Sequence, residues 1–162
     1  LFREALEARR ATLGDRHPDT LISINNMARL LLDQGELDSA EALLRESADA
    51  SLATLAAGHR IRLRAHGWLA DVLRAQGRIA QAREVLDTGL LAAAREALGP
   101  SVDTTLMLEA LDARLRCAEE GGGGLEPMRA VLARMRTLLG PLSPETRRCE
   151  RALRDEEAAL EA

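Results

Sequence analysis

The sequence predicts an all-α protein, an α-solenoid of antiparallel helix pairs. Three observations carry this. First, the chain repeats at a period of 42 residues: Asp33-Gln34-Gly35-Glu36-Leu37-Asp38-Ser39-Ala40 returns as Ala75-Gln76-Gly77-Arg78-Ile79-Ala80-Gln81-Ala82. Thr12-Leu13-Gly14 likewise returns as Thr54-Leu55-Ala56, and three periods on, Leu13-Gly14 returns as Leu139-Gly140. A fixed period of this size means stacked supersecondary units, each unable to bury its apolar face alone. Second, the chain is built from Ala, Leu, Arg and Glu, which favour helix, and aromatic residues make up 1% of it. Third, no segment shows the period-two alternation of a half-buried strand.

The elements follow in order. Phe2, Ala5, Leu6 and Leu13 form an apolar stripe at helical spacing, ended by Leu13-Gly14-Asp15. Pro18 suits the first turn of the next helix. That helix carries Ile22, Ile24, Met27, Ala28, Leu31 and Leu32 up to Gln34, and Gly35 stops it. Asp38 with Glu41 has the spacing of a capping box, opening a helix with Leu43, Leu44, Ala48, Leu52 and Leu55. The second unit repeats the plan: Leu63, Leu69, Ala70 and Leu73, a turn at Gly77, then one helix with Val85, Leu86, Leu90, Ala93 and Leu98. The third has Leu106, Leu108, Leu111 and Leu115, then Met128, Val131, Leu132, Met135 and Leu139, and starts one residue late. Ser143-Pro144 opens a last helix with Cys149, Ala152, Leu153 and Leu160, whose charged final turns face solvent. Short turns force consecutive helices to pack antiparallel.

The expected organisation is one repeat domain over 1–162: a second helix of a preceding repeat at 1–14, repeats at 15–56 and 57–98, a degenerate repeat at 99–140 and a C-terminal helix at 141–162. The third unit replaces the single Gly turn with Gly121-Gly122-Gly123-Gly124, either a slack turn or a hinge. The chain opens on Leu1 in mid-helix, as a fragment of a longer protein would.

Charge and motif content exclude several functions. The net charge is −4, and all 22 basic residues are Arg. Phosphate binding needs a basic footprint, so nucleic acid is not the expected ligand. Cys117 and Cys149 stand 32 residues apart without a CxxC or a neighbouring His, so buried free thiols in a reducing compartment are expected. No apolar run approaches the ~18 residues that would mark a membrane span, and an intracellular, cytoplasmic location is expected. His17 and His59 occupy equivalent repeat positions, as helix-start residues would, and His66 has no second ligand nearby in sequence. No phosphate loop, zinc motif or nucleophile triad is present. Neither catalysis nor a cofactor is expected.

Period alone does not choose between repeat families; the turn residues do. Met27-Ala28, Leu31, Gly35, Leu37, Ala40, Leu44 and Ser47 follow an order of large, small, large, Gly, large, Ala, large, small. Leu69-Ala70, Leu73, Gly77, Ile79, Ala82, Leu86 and Gly89 repeat it. This is the tetratricopeptide repeat order, in which small residues let the two helices of a pair approach. Leu13-Gly14-Asp15-Arg16-His17-Pro18 and Ile24-Asn25-Asn26-Met27-Ala28 resemble, more narrowly, the kinesin light chain-like class. The likeness is strong over 1–98 and weaker over 99–162. Tyr, common in that class, is absent here.

The resemblance implies a right-handed superhelix whose concave groove holds a peptide or protein segment. Carried over by position, the groove would show Asn25, Asn26, Arg29 and Asp33 in the first repeat. It would show Arg64, Trp68, Asp71 and Arg74 in the second, and Glu109, Ala113 and Arg116 in the third. Asn can donate to and accept from a peptide backbone, Arg can pair bidentately with a carboxylate, and Trp and Arg are frequent hot spots. Trp68 suits core packing equally well, and the Asn pair also suits a bridge between neighbouring repeats. The expected function is a protein-interaction scaffold. The alternatives are a structural subunit of a larger complex or a regulatory domain of a larger signalling enzyme.

Overall fold

A computed structural model describes residues 2–87, 89–120 and 123–161, with the Phe2 side chain outside the described set. The expected role of Phe2 and half of the Gly121–Gly124 turn therefore lie outside the described residues. Helices run α1 Phe2–Leu13, α2 Pro18–Gln34, α3 Leu37–Thr54, α4 Arg60–Ala75 and α5 Ile79–Asp87. They continue as α6 Leu90–Leu98, α7 Asp103–Glu120, α8 Leu125–Leu138 and α9 Pro144–Glu161. No strand occurs among the described residues. The chain forms two compact units, 1–93 and 94–162, and the division falls within α6.

The helix ends are written in the sequence. His17 is the N-cap of α2, where its Nδ1 accepts from the Asp19 N–H at 3.2 Å, with Pro18 in the first turn. One period on, His59 Nδ1 accepts from the Ile61 N–H at 3.3 Å and opens α4. The two histidines are thus helix-start residues, as their repeat positions predicted. Gly35 ends α2 in the left-handed region, φ 80°. Its N–H donates to the Leu32 carbonyl at 3.1 Å and that of Glu36 to Leu31 at 2.9 Å, the paired closure of a Schellman turn. At Gly77, φ 78°, the N–H groups of Gly77 and Arg78 donate to Arg74 and Leu73, both at 2.9 Å. Equal sequence at this spacing makes equal turns.

In the first unit α1 packs on α2, α2 on α3 and α4, α3 on α4, and α4 on α5. Ala28, Ala40, Ala70 and Ala82 are all fully buried, as the small positions of the repeat require. Leu21, Ile24, Leu44, Leu63 and Leu73 fill the core between the pairs, each contributing roughly 1.5–3 kcal/mol. In the second unit α7, α8 and α9 pack mutually around Leu106, Cys117, Met128, Leu132, Met135, Cys149 and Leu153. Both cysteines are free and buried, and burial pushes the Cys149 thiol up to about 11.

Three expectations need correction. The helix expected to run through Val85, Leu90 and Leu98 is two helices, α5 and α6, with Gly89 between them at φ 81°. A left-handed residue cannot continue a right-handed helix. The capping box at Asp38 and Glu41 does not form. The helix starts at Leu37 after Glu36, which makes no side-chain cap bond, so Asp38 already lies in the first turn. Third, Leu13, Ile22, Leu52 and Leu160 were placed on apolar stripes, yet each is 39–50% exposed.

Candidate functional site

The first unit carries an open cleft of about 250 Å³ between α2 and α4, lined by Ile22, Asn25, Asn26, Arg60, Ile61, Arg64 and Trp68. Helical spacing explains its walls. Leu21, Ile24, Ala28 and Leu31 take the core side of α2 and are all buried. Ile22, Asn26 and Arg29 are spaced i, i+4, i+7, which places them on a neighbouring stripe. On α4 the spacing of Arg60, Arg64 and Trp68 does the same. This arithmetic was available in the sequence. Adjacent Leu21 and Ile22 differ by about 100° around the helix, so both could not face the core, and Ile22 belongs to the cleft. Arg60 and Ile61 were also missed, since only stacking α2 on α4 brings the first turn of α4 to the asparagines.

The site candidates differ in what they are free to do. Asn25 is 4% exposed, and its Nδ2 donates to the Ile61 carbonyl of α4 at 3.3 Å. It bridges neighbouring repeats, the second of the two roles expected for it. A carbonyl can only accept, which fixes the amide orientation and leaves Asn25 Oδ1 buried without a hydrogen bond. Asn26 is exposed at the cleft. Trp68 is 3% exposed and is a core residue, though its ring also lines the cleft. The Arg64 guanidinium lies over it, 4.6 Å from the ring centroid, a cation–π stack.

Deeper along the same helices runs a string of ion pairs. Arg29 donates to Asp33 at 2.8 Å and stands 3.8 Å from Asp71, and Arg74 bonds Asp71 at 3.3 Å. Arg29, Asp33, Asp71 and Arg74 thus stitch α2 to α4. Behind α4, His66 is buried, its Nδ1 bonded to the Arg62 carbonyl at 2.9 Å, and burial lowers its basicity. Its place in the fold is structural.

The remaining candidates lie in the second unit. Glu109 is only 8% exposed and is clamped by Arg95, at 2.9 Å, and by Arg134, which also donates to the Pro100 carbonyl. Ala113 is 1% exposed, its backbone packed against Gly124. Both were expected on a groove, and both are committed to internal packing. Arg116 is exposed and pairs with Asp112 at 2.9 Å. Among the described residues no cluster of three or more metal-ligating side chains occurs, and no helix is long and apolar enough to cross a membrane.

Family models for the tetratricopeptide repeat match residues 1–53 and residues 63–88. These segments thus resemble tetratricopeptide repeats. Solved structures extend the likeness over the whole fold. One is a single-substitution form of a Podosopora anserina protein described as a kinesin light chain with nearly identical TPR-like repeats. It is 24% identical, with a TM-score of 0.68 over 98% of this chain and 74% of that one. A second structure under the same description, without the substitution, is 23% identical, with a TM-score of 0.67 over 99% of this chain and 84% of that one. No curated protein matches the chain. The family models thus match the tetratricopeptide repeat, and the structures described as kinesin light chain share the fold. Tetratricopeptide repeats are in general non-catalytic modules of protein interaction.

Proposed function

We propose that the protein is a non-catalytic scaffold that holds an extended segment of a partner protein in the α2–α4 cleft. The cleft itself is the observation that supports this. Ile22, Ile61 and the Trp68 ring offer an apolar floor, Asn26 an exposed amide, and Arg60 and Arg64 two guanidiniums at one rim. An apolar side chain flanked by a carboxylate suits that arrangement, with Asn26 bonding the segment's backbone. Asn25 Oδ1 adds a buried acceptor without a partner beneath the same surface. Such an atom costs roughly 1–3 kcal/mol when left unmet, and a peptide N–H reaching it would recover part of that.

Selection from a displayed random-peptide library tests the proposal. Peptides combining an apolar and an acidic residue should be enriched. Their affinity should fall roughly tenfold or more, about 1.4 kcal/mol, in an Asn26→Ala, Arg64→Ala double variant whose thermal unfolding stays within a few degrees of the parent. Enrichment of peptides whose affinity ignores both substitutions would refute a site in this cleft.

A further inference from the structure

The last helix carries an unusual face. Arg147, Arg151 and Arg154 are exposed on α9 and, among the described residues, their side chains make no hydrogen bond or ion pair. Their spacing of i, i+4 and i+7 gathers them within about 60° of helix surface and about 10 Å of length. They lie opposite the buried side, which is Thr146, Cys149, Ala152 and Leu153. Glu150 and Asp155 flank this face, each about 40° from the nearest arginine, and Glu150 accepts from Arg136 at 2.7 Å.

Elsewhere several arginines are neutralised locally. Arg29 pairs with Asp33, Arg45 with Glu41, Arg74 with Asp71, Arg116 with Asp112 and Arg129 with Glu126, all at i, i+3 or i, i+4. On α9 the same spacings set Arg147 against Arg151 and Arg151 against Arg154; Glu150 and Asp155 also stand i, i+3 or i, i+4 from these arginines, but Glu150 is taken by Arg136 and Asp155 pairs with none of the three. Functional surfaces are among the places where a local rule is broken without a compensating contact. Repeat position sharpens this. Three periods back, the equivalents of Arg147, Arg151 and Arg154 are Leu21, Asn25 and Ala28, which are 0%, 4% and 0% exposed. In the first repeat that face meets other helices, and on α9 it is cationic.

We propose that the Arg147–Arg151–Arg154 face of α9 docks an acidic helical segment of a partner protein. Carboxylates at i, i+4 and i+7 of such a helix match the arginine spacing, and guanidinium pairs bidentately with carboxylate. A polyanion is a poorer fit. Three cations make a short footprint on a chain of net charge −4, whereas nucleic-acid binding commonly neutralises some 6–10 phosphates. The proposal does not depend on the cleft.

Fluorescence anisotropy on the intact chain provides the test. The probe is a labelled alanine-based helical peptide with glutamates at i, i+4 and i+7. Its glutamine counterpart, single-stranded DNA and phosphatidylserine vesicles serve as competing ligands. The glutamate peptide should bind best. Both the Arg147→Glu, Arg151→Glu, Arg154→Glu and the Arg147→Gln, Arg151→Gln, Arg154→Gln variants should weaken it roughly tenfold or more. Reversing Arg3 and Arg16 should change it less than about twofold. The glutamine triple should also melt no lower than the parent, since it removes like-charge repulsion. Equal binding of the glutamine peptide, tighter binding of DNA or vesicles, or an equal effect of Arg3 and Arg16 would each overturn the proposal.

Discussion

Glu41 accepts from three side chains in the first unit. Gln76 donates to it at 2.9 Å, Arg45 at 2.7 Å, and Arg78 to both carboxylate oxygens at 2.7 and 2.8 Å. It thereby ties α3 to the turn between α4 and α5. These bonds, that from Gln76 foremost, hold its carboxyl at about 2, against an ordinary 4.5. A folded-state value below the unfolded one gives stability that is present above pH 4.5 and lost as pH falls toward 2. Glu41→Gln should therefore cost about 1–3 kcal/mol at neutral pH. In urea titrations the gap to the parent should close between pH 4.5 and 2. An unchanged gap across that range would show that the charge plays no part. The sequence made Glu41 visible only as half of a capping box. Arg45, at i, i+4, is within local reach, but Gln76 and Arg78 lie 35 and 37 residues away, a separation that local spacing cannot bridge.

At the scale of elements, the α7–α8 turn separates what the sequence reveals from what it hides. Four glycines suggested slackness. Yet a Cβ on Gly124 would stand 2.7 Å from Cys117 Sγ and overlap the Ala113 carbonyl. Gly124 is at φ −88°, so its backbone angle does not demand glycine; close approach to α7 does. The atoms nearest a Cβ on Gly123 belong to Glu120, whose carboxylate can swing away and whose Cβ, at 3.1 Å, need give only slightly. Gly124→Ala should cost roughly 1–3 kcal/mol or more by overpacking, and Gly123→Ala less than about 0.5. Equal melting of the two variants would sink this account. Helix ends were legible elsewhere because their causes are local: His17, Pro18, Gly35 and Gly77 each act within a few residues. The break at Gly89 was readable too, since the Gly that completes the repeat order adopts φ 81°. The helix period of Leu86, Leu90 and Ala93 across it obscured the signal.

At the scale of the whole molecule, the repeat period carried most of the fold. Tetratricopeptide repeats space their helices by small residues, and Ala28, Ala40, Ala70 and Ala82 are spent on that spacing. The candidate site was half legible. Asn26 and Arg64 line the cleft, while Asn25 and Trp68, also at its wall, are largely buried. Burial decides between those roles, and it depends on the helix that stacks alongside. Trp68 is the single Trp of the chain and lines the cleft, so it reports directly on occupancy. The decisive measurement is its emission during titration with a library-selected peptide. The account predicts a saturable spectral shift whose midpoint follows the binding constant and moves roughly tenfold or more in the Asn26→Ala, Arg64→Ala variant. Saturable binding with an unchanged Trp68 spectrum and an unchanged midpoint in that variant would contradict it.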